Sequence, residues 1–100
     1  MHELLRRFIF IGSADMRLSP SHISLYAAIL SMACENGGHN PVAVYSRQLM
    51  RRSKISGPAT YHRCLKDLQA SGYIEYEPSF DKYRCSLIYL RPLNPALVPV

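Results

Sequence analysis

The stretch "SKISGPATYHRCLKDLQASGYIEY", Ser53 to Tyr76, sets one short helix between two turns and leads it into a strand. Gly57 and Pro58 open the helix. Glycine is tolerated at a cap, and proline at the first helical position lacks an N–H that would have no partner there. Tyr61, Cys64, Leu65 and Leu68 follow at i, i+3, i+4 and i+7, an apolar stripe that predicts a buried face. The other face reads Ala59, Thr60, His62, Arg63, Lys66 and Gln69: small at its start, then polar and basic, with Asp67 its acidic exception. The helix is predicted to end at Ser71, with Gly72 beyond it as a left-handed residue.

Past Gly72 the apolar period shortens to two. "YIEYEP" and "CSLIYL", joined by "SFDKYR", predict a β-hairpin with a basic, aromatic tip. The tail "RPLNPALVPV" carries three prolines and is expected to be extended. Upstream, Ser46 reads as the N-cap of a helix "RQLMRRS" that turns Leu49 and Met50 inward, with Lys54, Ile55 and Ser56 as the following turn. "PVAVY", 41–45, is β-branched enough for a brief strand. Before it, Ser19 caps a helix that starts at Pro20 and runs to about Asn36, where "NGG" stops it. Its predicted inward stripe is Ile23, Tyr26, Ala27, Leu30 and Cys34. Residues 3–11, "ELLRRFIFI", place Leu4, Leu5, Phe8 and Ile9 at helical spacing, with a strand through "FIFI" as the alternative. "GSADMRLS" follows as a loop.

One hundred residues allow one core. Twelve Lys and Arg against seven Asp and Glu leave a net charge of +5, which suits an anionic partner. "ISLYAAILSMAC" is too short to span a bilayer. No small-residue cleavage site follows an apolar segment of the right length, so no signal peptide is expected. Cys34, Cys64 and Cys85, unpaired in spacing, fit a reducing cytoplasm. No C-x2-C pair exists, and "HRC" sets its two ligand types on different sides of a helix, so no metal or other cofactor is expected. Cys34 and Cys64 read as small core residues. The histidines form no Ser/His/Asp or Cys/His set that spacing supports, and no enzyme activity is expected.

The run "SRQLMRRSKISGPATYHRCLKDLQASGYIEY" resembles the core of bacterial winged helix-turn-helix DNA-binding domains. Their capped helix and small-residue turn lead into Thr-φ-x-Arg-φ-Leu-Lys-x-Leu (φ apolar), then a glycine and a strand that opens on an aromatic or aliphatic pair. Here Thr60, Tyr61, Arg63, Cys64, Leu65, Lys66, Leu68, Gly72, Tyr73 and Ile74 meet that pattern. Small stand-alone members, among them regulators and replication or excision factors of plasmids, phages and transposons, are similar throughout, and the resemblance covers roughly Leu18 to Leu90. It implies an α+β fold: a three-helix core with a C-terminal two-stranded β-hairpin wing, here with an extra short N-terminal helix. The expected organisation is an N-terminal helix and loop over 1–17, the winged-helix domain over 18–90 and the Pro-rich tail over 91–100.

The resemblance further implies double-stranded DNA as partner. Helix 57–71 would enter the major groove, the preceding helix would cross the backbone, and the wing, 79–85, would touch flanking DNA. Residue by residue it nominates Ser46 and Arg47, then Lys54 and Ser56 in the turn. It adds Ala59, Thr60, His62, Arg63 and Lys66 on the helix, and Lys82 and Arg84 on the wing. Pro58 and the acidic pair Glu75 and Glu77 depart from the family pattern, and the glutamates leave only the hairpin tip suited to DNA. Arg51, Arg52 and Lys54 read either as a phosphate clamp or as the solvated, dipole-favoured end of a helix. The N-terminal helix reads either as a homodimer contact or as a cap on the domain's own core. The rival reading is a protein-interaction module, which an apolar exposed face on helix 57–71 would favour.

Overall fold

In a computed structural model, residues 2–79 and 85–92 are described; they form an α+β fold of four helices and one three-stranded antiparallel sheet. The order is α1 (His2–Ala14), α2 (Pro20–Glu35), β1 (Val42–Val44), α3 (Ser46–Ser53), α4 (Pro58–Ala70), β2 (Ile74–Glu77) and β3 (Ser86–Leu90). Among the described residues no helix is long and apolar enough to cross a membrane.

The centre of the molecule is α2, which packs against α1, α3, α4 and β1. That position overturns its predicted single stripe. Leu25, Tyr26, Ala28, Ile29, Leu30, Met32 and Ala33 are buried, whereas Ala27 and Cys34 are exposed. A helix with neighbours on several sides buries most of its circumference, so one 3.6-residue stripe is the wrong template for it. Cys34 is therefore a surface thiol rather than a core residue.

At the N-terminus α1 runs three residues past the predicted end. Gly12 lies buried within the extension, and a Cβ there would meet the Leu18 side chain at 3.4 Å and the Phe8 ring at 3.7 Å, ordinary contact distances. Phe8 and Ile11 enter the core, while Leu5 and Ile9, expected on the inward side, remain 39% and 46% exposed. The Phe8 ring stacks on Tyr26 at 3.7 Å between centroids, and Tyr73 meets both rings edge-on. These contacts fix α1 to the core of the domain.

The loop after α1 holds a polar anchor. Asp15, buried, accepts hydrogen bonds from Arg17 Nε (2.9 Å), Arg17 Nη2 (2.8 Å) and the Arg17 backbone N–H (3.0 Å). It also accepts one from the Tyr73 hydroxyl at 2.7 Å, across 58 positions of sequence. These bonds, those of Arg17 foremost, hold the Asp15 carboxyl well below the usual carboxylate range despite its burial. Burial, aided by the bond to Asp15, pushes the Tyr73 phenol up to about 12.

In the sheet, β3 lies between β1 and β2, with Val42 opposite Ile88 and Ile74 opposite Leu90. The Asn40 side chain both donates to the Leu90 carbonyl and accepts from its N–H, each at 2.9 Å, and so extends the β1–β3 pairing beyond the strand. Alternation sends Val42, Val44, Ile74, Ile88 and Leu90 into the core. At the base of the β2–β3 pair, Glu75 meets Arg91 at 3.6 Å, and Glu77 accepts from the Tyr89 hydroxyl at 3.2 Å. Residues 80–84 of the expected wing, Lys82 and Arg84 among them, lie outside the described residues, as does the tail from residue 93.

Candidate nucleic-acid interface

Ser46, expected to cap α3, is its first helical residue; Tyr45, in extended conformation, occupies the cap position. The Tyr45 carbonyl starts the ladder by accepting from the Leu49 N–H at 3.0 Å, so the boundary falls one residue earlier. At the other end Lys54 adopts φ 64°, ψ 26°. A left-handed lysine costs about 1 kcal/mol relative to glycine. Here it lets the Ile55 N–H close on the Met50 carbonyl at 3.0 Å and turns Ile55 inward, which reverses the chain in a short turn. The Ser24 hydroxyl, from α2, donates to the Ser53 carbonyl and fastens this corner to the central helix.

The α4 helix begins at Pro58 after the Gly57 cap and ends at Ala70, one residue short of the expected Ser71, which is its C-cap. Its predicted inward stripe is buried: Tyr61, Cys64, Leu65 and Leu68. Burial pushes the Cys64 thiol pKa up, which favours its neutral form. On the outer side Ala59, His62, Arg63 and Lys66 are exposed in one stripe, and Thr60 is half-buried beside it. Arg47, Lys54 and Ser56 are also exposed, and Ser46 is half-buried. The nominated residues that the structure describes thus sit on one contiguous helix–turn–helix segment.

The pairing of charges distinguishes most of this segment from the other described residues. Arg6 and Arg7 pair with Glu3, Arg17 with Asp15, Arg52 with Glu35 and Arg91 with Glu75. Arg47, Arg51, Lys54, Arg63 and Lys66 form no ion pair with any described residue. Among the described Lys and Arg side chains these five are the unpaired ones, and all lie on α3, its turn and α4. The three cations at the end of α3 divide accordingly: Arg52 bridges to α2 through Glu35 at 2.9 Å, while Arg51 and Lys54 pair with no described residue.

Asp67, the acidic residue of α4, is occupied. His22 Nε2 lies 2.8 Å from its Oδ2, and His22 Nδ1 lies 2.9 Å from the Ser19 N–H and 2.7 Å from the Ser19 hydroxyl. The structure thus assembles a Ser19–His22–Asp67 chain that sequence spacing did not disclose, because Asp67 is 45 positions from His22. A backbone N–H can only donate, so Nδ1 is the acceptor and Nε2 carries the hydrogen given to Asp67. With its Nδ1 lone pair met by a fixed N–H, the ring acts as the third-position partner of a capping box, where glutamate usually serves. It closes the N-terminus of α2 and holds α4 against it. His22→Ala is expected to lower stability by about 1–2 kcal/mol, read by urea unfolding, since it leaves two polar partners unmet.

Among the described residues no group of three or more His, Cys, Asp or Glu side chains is placed to hold a metal ion. Comparison of the chain with protein-family models, with curated proteins and with solved structures finds no match.

Proposed function

We propose that the chain is a winged helix-turn-helix domain that binds double-stranded DNA, as a transcriptional regulator or as an accessory factor of a mobile element. The observation that carries this reading is the gathering of Arg47, Arg51, Lys54, Arg63 and Lys66, unpaired among the described residues, on α3, its turn and α4, while the other described Lys and Arg side chains are paired. Free cations on a helix with a small-residue start and on the helix and turn before it suit a phosphate backbone and a major groove. In this reading α4 enters the groove, with Thr60, His62 and Arg63 toward base edges and Lys66 toward phosphate. The α3 helix crosses the backbone with Ser46 and Arg47, and the β2–β3 connection is the wing, carrying Lys82 and Arg84. The exposed Leu5, Ile9 and Phe10 on α1 are the surface that a homodimer would use.

The test is a titration of the purified protein into labelled random-sequence duplex, followed by fluorescence anisotropy across a salt series. Binding near micromolar at low salt, falling steeply as salt rises, is the expected result. Absence of binding at low salt would transfer the reading to a protein-interaction module. Arg47→Ala is expected to weaken binding to all duplexes about equally and to reduce the salt slope by about one, the signature of a phosphate contact.

A further inference from the structure

Between the end of α2, β1 and α3 lies a groove of about 620 Å³. Its walls come from three elements. Alternation along β1 sends Val42 and Val44 to the core, so Pro41, Ala43 and Tyr45 face the groove. The α2 side supplies Met32, Glu35 and Asn36, with His39 beyond the helix; α3 supplies Gln48, Arg51 and Arg52.

The charges in this groove are unequal in availability. Arg52 is committed to Glu35 at 2.9 Å and to the Ser31 hydroxyl at 3.3 Å, which also neutralises the carboxylate that would oppose an anion. Arg51 has neither an ion pair nor a side-chain hydrogen bond to any described residue. An unpaired guanidinium on a concave wall can take an anionic group in a bidentate fork without first giving up a partner. The rest of the lining suits a flat body: Met32, Pro41 and Ala43 are apolar, and the Tyr45 side chain, 43% exposed, presents a ring. A groove of this size, part apolar with a few polar groups, falls within the range of small-molecule sites.

We propose that this groove binds a small organic anion with a planar body, Arg51 taking the anionic group and Tyr45 with Met32 taking the body. The proposal goes beyond the DNA reading, with which it shares the Arg51 side chain, and it stands without that reading, since the shape of the groove and the Arg52–Glu35 pair do not depend on the outer face of α4. It is tested on the full chain, free of DNA, with adenosine monophosphate as probe in amide correlation spectra of the ¹⁵N-labelled protein. The expected result is saturable shifts at Ala43, Tyr45, Gln48 and Arg51. Arg51→Gln, a change at an exposed position, should weaken binding about tenfold while leaving the melting temperature unchanged. Adenosine alone and inorganic phosphate alone should each bind at least about tenfold more weakly than the monophosphate. The proposal is overturned by shifts confined to α4, by the absence of any groove shift, by unchanged affinity in Arg51→Gln, or by phosphate binding as well as the nucleotide.

Discussion

Asp15→Ala is expected to cost the fold about 2–3 kcal/mol. The carboxylate is fully buried, yet every interaction around it is complete. Arg17 grips it with Nε and Nη2, and the Tyr73 hydroxyl donates to it at 2.7 Å. Removing it leaves the Tyr73 hydroxyl, in a buried residue, without its acceptor, and unties the loop after α1 from the start of β2. Loosening spreads to the Phe8–Tyr26–Tyr73 ring cluster, through which α1 holds the core. The effect should depend on pH. The folded-state pKa of Asp15 is depressed, so its contribution is complete above the ordinary carboxylate value of about 4 and is lost progressively as pH falls below it. Urea unfolding of the parent and Asp15→Ala at pH 7 and again near pH 3 checks this. The gap should narrow in acid; a gap independent of pH would mean that the carboxylate's charge contributes nothing.

For Arg63→Ala the expected loss is about 1–3 kcal/mol of affinity for a cognate duplex, accompanied by relaxed discrimination at one base pair. Arg63 is exposed on the same α4 stripe as Ala59 and Lys66 and has no ion pair with any described residue, so its guanidinium is available without rearrangement. Since the residue is off the core, stability should be within about 0.5 kcal/mol of the parent. The measurement is anisotropy on a duplex selected from a random pool, beside a scrambled one. Equal loss on both would reduce Arg63 to a phosphate contact, and no loss on either would remove α4 from the interface.

Much of this chain is legible locally. Apolar spacing and the Gly57–Pro58 start foretell the buried face of α4, because a peripheral helix has one inside and one outside. Gly72, at φ +85°, stands where the period changes from helix to strand, as a left-handed end requires. The N-terminal helix was only half legible. Leu5 and Ile9 have the same spacing as buried residues, yet Phe8 and Ile11 are the ones that reach the core, because the side of α1 that meets α2 is set by packing.

The candidate interface divides in the same way. Which residues are basic, and that His62, Arg63 and Lys66 face outward, follows from composition and period. Which of those cations are free does not. Arg51 and Arg52 are adjacent and chemically identical, yet one is tied across to Glu35 and the other lines a groove unpaired among the described residues.

The sequence alone determined the order of helices and strands, the inner and outer faces of α4, and the excess of positive charge, because each depends on residues within a few positions of one another. Tertiary structure alone decided the central, many-sided burial of α2, the anchor from Asp15 to Tyr73, and the hydrogen bond from His22 to Asp67. Those contacts join residues 45 to 58 positions apart, and hydrogen bonds at such separations depend on how the helices pack, which local periodicity does not encode.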